Sequence, residues 1–458
     1  MAKFWEEVKS NLNFNAATSG VRNTFKAGAG LFNNPLEEIN GGFTELVELF
    51  VDIPDFGDFS ASQRSTLLNK QANDAHIPVI YGERRVGGVR VFMETGGTDN
   101  EYLYIALVLC EGPVHSIGDI YIDDVLSTDS QFSGLVTIDQ KTGEANQTAS
   151  TTLTEASSWT STHTLSGLAY LGIRLKYDAN VFSGLPNIQA VVKGRKVYDP
   201  RKDSTSDGYD SGLGVSTHRE NDIATWEWTD NNVICLRDYL FDDNYGKGIP
   251  SSEIDDVSVK VAANLIDTSV TEYTGASGTT SLYDCNMVVD TSVQIFSNVA
   301  AMLKSFRGML PYSNGVYKII VDDDPASSTF TFDADNIVSG ISVQSTSRKD
   351  RYNRVIANFV NKEKNYEPDE VSYPETGSAE HTAFLVADNN FIQETTIDLP
   401  ATTSVYQARD IAKIALEFSR SQNITVNFTA DTSSIVCEVG DKVILNYPDL
   451  NFSSKEFK

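Results

Sequence analysis

From His76 onward the apolar residues of this 458-residue chain stop recurring at helical spacing and gather into short runs cut by glycine, proline and paired acids. The sharpest is Tyr102–Leu109, an uncharged run rich in aromatic and branched residues and closed by Glu111-Gly112-Pro113. A run of that length with no polar alternation predicts a strand buried on both faces. Around it, Ile77–Phe92 reads as strand, glycine turn and strand, and Ile117–Val125 alternates until Asp123-Asp124. Tyr170–Tyr177 sets Leu171, Ile173 and Leu175 on one face, and Ile188–Val197 reads as a further strand. Residues 127–168 are Ser/Thr-rich and poor in large apolar groups, the texture of an inserted excursion. Asp199–Asn221 is a polar loop rich in Gly and Asp.

Three later segments switch to helical spacing. Asn232–Phe241 carries Val233, Leu236 and Leu240 as a stripe. Ser292–Arg307 carries Val293, Phe296, Val299, Ala300 and Leu303, with Gly308 placed to cap its end. In Ser404–Arg420, Ser404 and Gln407 fit a capping box, and Ile411, Ile414, Ala415 and Phe418 form the stripe. Strands are expected between and after them at Val316–Val321, Thr329–Phe332, Arg354–Phe359, Ile424–Phe428 and Lys442–Leu445. The sum is a β-rich multidomain chain of the α+β kind, built as barrels or sandwiches with a few packing helices.

Residues 1–65 have a different texture. Phe4, Trp5, Val8 and Leu12 recur at near-helical spacing, and Leu36, Ile39, Phe43, Leu46, Val47 and Phe50 do so again. Lys26-Ala-Gly-Ala-Gly breaks the two, and Asn33-Asn34-Pro35 signals a new helix start. Short apolar-faced helices on such an arm dock on something, either their own body or a neighbour. The organisation expected is therefore a helical arm over 1–65, a first β-domain over 66–265 with the insertion at 127–168, and further β-domains over 266–458.

The sequence offers little handle for chemistry. Thirty-six basic against 63 acidic residues leave a net charge of −27, which repels phosphate and disfavours general nucleic-acid binding and anionic membranes. No run of 18 apolar residues occurs, so a spanning helix is not expected. The first residues lack a signal peptide's basic start and apolar stretch, and synthesis and folding in a reducing cytoplasm is the expectation. Cys110, Cys235, Cys285 and Cys437 are too scattered for a zinc site or redox pair, and Cys110 and Cys235 read as buried thiols. None of His76, His115, His163, His218 and His381 sits in a zinc-protease or serine-hydrolase motif. Tyr245-Gly246-Lys247-Gly248 lacks the flanking residues of a phosphate loop, and Asp55-Phe56-Gly57 stands without a kinase's other motifs. Asp322–Asp324 and Asp203, Asp207 and Asp210 could hold a hard cation but lack calcium-loop spacing, so they read as solvated acidic turns. Carboxylate pairs for glycoside hydrolysis are too numerous in an acidic chain to single out. Nothing here argues for an enzyme, a cofactor or a metal.

Two stretches are oddly specific for a chain without catalytic motifs. Cys235-Leu-Arg-Asp-Tyr-Leu240 runs into Asn244-Tyr-Gly-Lys-Gly-Ile-Pro250 and Ile254-Asp255. Asp284-Cys285-Asn286 leads through the 292–307 helix to Arg307-Gly308-Met309-Leu310-Pro311-Tyr312, Asn314-Gly315 and Arg348-Lys-Asp-Arg-Tyr-Asn-Arg354. With Glu111-Gly112-Pro113 and Gly440-Asp-Lys-Val443, this order resembles the tail-tip hub proteins of long-tailed phages, over residues 75–125 and 170–458. The resemblance marks Asp238, Tyr239, Tyr245, Gly246, Gly248, Cys285, Asn286, Arg307, Gly308, Asn314, Gly315 and Asn353 as fold-holding motif residues. In that role the Gly246 and Gly248 turn reverses the chain beside a packed helix, Tyr239 and Tyr245 pack there, and Asp238 or Arg237 ties the turn to adjacent backbone.

The resemblance implies tail-tube-like β-barrel domains and a homotrimer that closes the tail tube, adapts its sixfold symmetry to a threefold tip, and gates DNA ejection after host attachment. It implies assembly in the bacterial host cytoplasm and residence at the virion tail tip. The partners implied are the distal tail ring, the tape-measure protein, other tail-tip proteins and a central fibre or receptor-binding modules, with genomic DNA only in transit. Family members continue past the point corresponding to residue 458. Arg348, Lys349, Arg351 and Arg354 are the one strongly basic patch, either a solvated hairpin arm or a subunit interface. Trp5, Phe25, Phe32, Phe43 and Phe50 on the arm are candidates for docking on partners. Two other classes compete: a peptidoglycan-degrading tail enzyme and a secreted β-rich carbohydrate-binding adhesin, neither of which explains the two specific stretches.

Overall fold

A computed structural model describes residues 59–71, 75–271, 279–323, 327–338, 340–345, 351–421 and 424–458. The arm residues Trp5, Phe25, Phe32, Phe43 and Phe50, together with Arg348 and Lys349, lie outside the described residues. The fold is β-rich with helices packed among the sheets, as the periodicities predict.

After β1 (Val79–Tyr81), nine strands in two sheets build the first unit: β2 (Glu83–Val86), β3 (Val89–Gly96), β4 (Tyr102–Glu111), β5 (Val114–Ile122), β6 (Val125–Leu126), β7 (Val136–Thr142), β8 (Leu168–Lys176), β9 (Ile188–Val197) and β10 (Glu227–Trp228). One sheet runs β3-β4-β8-β7; the other centres on β9, with β5 and β6 on one side and β2 and β10 on the other. The chain crosses between them at the Gly112-Pro113 corner, a cis peptide. The sheets face each other over one core that includes Ile105, Leu107, Leu109, Leu171, Val114 and Val192. They form an open sandwich, and among the described residues no sheet closes into a barrel. The stretch read as strand, turn and strand over 77–92 is three strands, because Gly82 (φ 67°) and Gly88 (φ 78°) each turn the chain.

The unbroken apolar run in β4 has a direct cause. Its Ile105, Leu107 and Leu109 enter the inter-sheet core, while Tyr104, Ala106 and Val108 pack beneath Leu153, Ala156, Trp159 and Tyr170 on the opposite face. The Ser/Thr-rich segment is therefore no mere excursion. It contributes the edge strand β7 and the lid of small and aromatic residues that makes β4 two-sided.

Six helices belong to the described residues: α1 (Phe59–Ser65), α2 (Asn232–Phe241), α3 (Asp256–Ile266), α4 (Ile295–Lys304), α5 (Ala379–Ala387) and α6 (Val405–Ser421). A second, larger core joins α2, α3, α4 and α6 to the sheet made by strands Glu367–Tyr373, Arg354–Asn361 and Glu394–Leu399. It also takes in Val79 and Tyr81 of β1, which pairs with the strand Met287–Val289. The expected stripe on α2 is only part of what it buries, since every residue from Asn232 to Leu240 is covered. A third cluster around Phe332, Val426, Phe428 and Leu445 fills the region where Phe330–Phe332 and Val443–Tyr447 pair in parallel.

Two helix ends differ from expectation. At the end of α4 the left-handed residue is Arg307 (φ 56°), and Gly308 already begins the next strand, so Gly308 is not the cap. Glycine is needed there for another reason: a β-carbon on Gly308 would stand 2.3 Å from the Phe306 ring. At the start of α6 the Ser404 hydroxyl accepts from Gln407 N (3.4 Å), but the Gln407 side chain does not complete the box. It is buried and donates instead to the carbonyls of Asp284 (3.0 Å) and Ser305 (2.8 Å). The face α6 buries is Ala408, Ile411, Ala412 and Leu416, with Ile414, Ala415 and Phe418 on its flanks.

Candidate functional site: a buried polar junction

The motif residues 238–248 converge where α2 meets β9. Asn231 caps α2, its Oδ1 accepting from Val233 N (3.1 Å) and Ile234 N (3.2 Å). After the helix the chain folds back on its own last turn: Lys247 N donates to Tyr239 O (3.1 Å), Gly248 N to Asp242 O (2.9 Å) and Ile249 N to Leu240 O (2.9 Å). Those bonds satisfy carbonyls that a helix end leaves open. A β-carbon on Gly246 would lie 2.0 Å from Tyr239 O, so the reversal requires glycine, and Gly248 has φ 66°. Asp242, rather than Asp238 or Arg237, ties the turn, with its Oδ1 accepting from Asn244 N (2.9 Å) and Tyr245 N (3.2 Å).

Asp238 points the other way, into the β sandwich. Its Oδ2 accepts from Tyr81 Oη (2.6 Å) and pairs with Arg195 Nε (2.9 Å), while Arg195 Nη2 reaches Asp242 Oδ2 (2.9 Å). The Arg195 guanidinium also lies 5.1 Å from the Tyr245 ring centre. Burial pushes the Asp238 carboxyl up against the opposing pull of Arg195, and burial beside Asp238 pushes the Tyr81 hydroxyl well up. Tyr239 accepts from Asn298 Nδ2 (3.0 Å), and burial raises its hydroxyl to about 12. Arg237 serves the opposite side of the helix, bonding Asp256 Oδ1 (2.7 Å) and Glu220 Oε1 (2.9 Å).

A second clasp centres on Asn286. Its Oδ1 accepts from Glu83 N (2.7 Å), its Nδ2 donates to Thr403 Oγ1 (3.0 Å), and its backbone N–H donates to Ala401 O (2.8 Å). Its own carbonyl accepts from Arg84 Nη1 (3.0 Å), which also donates to Pro400 O (2.9 Å), while Arg84 Nη2 donates to Gln63 Oε1 (3.1 Å) on α1. Arg84 is fully buried and has no carboxylate partner among the described residues, so desolvation lowers it to about 10. Gly82 makes the clasp possible, since a β-carbon there would stand 1.9 Å from Cys285 O. Four segments far apart in sequence thus close on one asparagine and one arginine.

The remaining motif residues also hold fold. Arg307 Nε donates to Tyr283 Oη (2.8 Å), which donates to Asp410 Oδ2 (2.6 Å). Asn314 and Gly315, with φ 55° and 89°, form the two-residue turn joining Tyr312–Ser313 to Val316–Tyr317. Asn353 is fully buried; it donates to Phe391 O (2.7 Å) and accepts from Gln393 N (3.0 Å). In the basic patch, Arg354 is paired within the chain to Glu394 (3.0 Å), its parallel neighbour across the sheet. Arg351 is half-buried.

Of the acids considered for cations, Asp203, Asp210 and Asp322 are engaged by donors, Asp322 by the Lys458 ammonium, while Asp324 lies outside the described residues. Asp203 accepts from Thr205 N (2.8 Å), Tyr198 Oη (2.9 Å) and Arg219 (2.9 Å), and Asp210 from Gly212 N (2.8 Å). No group of three metal-ligating side chains occurs among the described residues. All four cysteines are free and buried. No helix among the described residues is long and apolar enough to cross a membrane. Sequence reading missed Gly82, Arg84, Arg195 and Asp242. The signal for Arg84 was present as an Arg-Arg pair between the apolar residues 77–81 and Val86, where a buried guanidinium must find several acceptors.

Three comparisons place this geometry among known proteins. Residues 295–453 match the model of a family described as "Putative phage tail protein". Baseplate hub protein pb3 of Escherichia phage T5 is 21% identical over 457 residues, covering 83% of this chain and 45% of its own length. Tip attachment protein J of Escherichia phage SECphi27 is 22% identical over 293 residues, covering 61% of this chain and 22% of its own length. The chain thus spans less than half the length of these curated relatives. A chain from the solved virion of a native gene transfer agent particle shares the fold, with a TM-score of 0.53 and 17% identity over 85% of this chain and 82% of that one. The resemblance to phage tail-tip hub proteins read from the motifs is borne out, and the relatives are structural proteins of phage tails.

Proposed function

We propose that this chain is a structural hub at the tip of a phage tail, not an enzyme, acting as a homotrimer that closes the tail tube and opens for DNA after host attachment. The observation that carries the reading is the use of the motif residues. Asp238, Tyr239, Asn286, Arg307 and Asn353 all spend their polar atoms on internal partners, joining helices to sheets, and none lines an open reactive cleft. Residues selected for chemistry keep a group free for substrate; residues selected to transmit load between rigid parts do not. On this reading the chain divides into the arm, a first hub domain to about residue 265 and further hub domains after it. Arg348, Lys349, Arg351 and Arg354 lie at the subunit interface, the arm meets the tail ring or tape-measure protein, and assembly occurs in the host cytoplasm.

Light scattering of the purified chain at several concentrations tests the trimer. A species near three times 50.2 kDa is expected, alone or once the adjoining ring protein is added. A monomer that persists in the presence of that ring protein overturns the trimer. A cell-wall zymogram separates the hub from a peptidoglycan-cleaving enzyme: no clearing is expected.

A further inference from the structure

The fold sorts the four cysteines by core. Cys110 belongs to the core of the β sandwich and Cys437 to the third cluster, each with no second cysteine beside it there. Cys235 and Cys285, fifty residues apart in sequence, share the large core that joins α2, α3, α4 and α6. Both are fully buried. The segment 229–230 draws them together: the Cys235 thiol donates to Thr229 O (3.7 Å), and Cys285 N donates to Asp230 O (2.6 Å). Their side chains meet, thiol hydrogen-bonded to thiol. Spacing along the chain gave no sign of a redox pair, and packing makes one.

Each cysteine belongs to one of the two motif stretches. Cys235 lies on α2 one turn before Asp238, whose carboxylate ties that helix to Tyr81 and Arg195. Cys285 directly precedes Asn286, the centre of the second clasp. A bond between the two sulfurs would therefore join junction and clasp covalently. Burial, and the contact with Cys285, push the Cys235 thiol well above its ordinary value. The pair thus stays reduced in a reducing cytoplasm and reacts slowly outside it.

We propose that Cys235 and Cys285 are a latent disulfide, which closes after the folded chain leaves a reducing compartment and locks α2 to the Asn286 clasp. With a peroxide as oxidant, one sulfur takes up a hydroxyl and releases a water, and the second thiol then displaces that hydroxyl as another water. Two S–H bonds and one O–O bond break, one S–S bond forms, the sulfurs are oxidised and the peroxide is reduced. The link closes a loop of fifty residues and so stabilises the fold by restricting the unfolded chain. The chemistry rests on the pair alone; its setting, a particle released from the host cell, rests on the proposed hub.

The test uses the full chain, purified under reductant and then exposed to dilute hydrogen peroxide. Thiols titrated in denaturant should fall from four per chain to two. A non-reducing digest should yield one linked peptide pair, joining 235 to 285 within a single chain. The melting midpoint should rise by roughly 5 °C and return on adding dithiothreitol. Cys235→Ala and Cys285→Ala should each abolish both the link and the rise. Four persisting thiols, sulfinic acid at either position in place of the link, or links that take in Cys110 or Cys437 or join two chains overturn the inference. A link that leaves the midpoint unchanged overturns it too. None of these readouts depends on assembly: a chain that forms the link yet stays monomeric beside its ring protein supports the latent disulfide while overturning the trimer.

Discussion

At the scale of single residues, one buried charge is held by neutral groups alone, where Arg195 and Arg237 are held by carboxylates. That charge is Arg84. Arg84→Ala leaves the carbonyls of Asn286 and Pro400 and the Gln63 amide unpaired in a dry junction, and a loss of about 3 kcal/mol is expected in chemical denaturation. Arg84→Lys keeps the charge but not the fork, so it should recover only part of that loss. Two further groups set the response to pH. Burial lowers the Lys304 ammonium to about 8, and burial next to Asp230 and Asp267 raises the Asp284 carboxyl to about 7. The Lys304 shift disfavours the protonated form in the fold, so stability rises as pH climbs from about 8 towards the unfolded lysine value near 10. The Asp284 shift has the opposite sense: its contribution is present below the unfolded value near 4 and is lost as pH rises through about 7. Together they predict a shallow minimum of thermal stability slightly above neutrality. Lys304→Met should remove the alkaline rise and Asp284→Asn the acid-side fall, each by roughly 2 kcal/mol at pH 8. Melting curves from pH 4 to 10 that keep both slopes in the variants refute the assignment.

At the scale of elements, glycine positions separate close contact from conformation. Gly246→Ala places a methyl against the Tyr239 carbonyl at a point where backbone meets backbone, so α2 must shift. More than about 3 kcal/mol is expected to be lost. Gly315→Ala meets open space at φ 89°, and only the cost of that conformation remains, about 1 kcal/mol. Equal losses in the two variants would contradict the close-contact account. Periodicity revealed α2, α4 and α6 because each buries apolar residues at helical spacing. It misjudged caps: Arg307 itself takes the left-handed conformation after α4, and the Gln407 side chain is drawn to the carbonyls of Asp284 and Ser305, distant in sequence. It also took residues 127–168 for an excursion, since their contribution is a few well-placed residues, Leu153, Ala156 and Trp159, set among serines and threonines.

At the scale of the whole molecule, the net charge of −27 takes on a role within the proposed hub. Carboxylates lining a channel repel phosphate and keep DNA from adhering in transit. Replacing channel-facing acids by Lys should leave assembly intact and slow ejection; an unchanged ejection rate counts against the idea. Removing residues 2–58, which spares α1, should give trimers that fail to join tails, and normal particles from that variant would contradict the role of the arm.

What the sequence determined by itself was local: strand and helix periods, the turns that demand Asn-Gly, the absence of reactive motifs, and an ordered set of signatures shared with tail-tip hub proteins. Those properties are written in neighbouring residues. The tertiary structure decided which distant segments those signatures join. Asp238 binds Tyr81 and Arg195, and Asn286 closes on Glu83, Thr403 and Arg84, across separations of up to about 200 residues in the chain. A buried polar atom must find a partner, but the chain does not announce which. Only the packing of sheets on helices brings that partner within 3 Å.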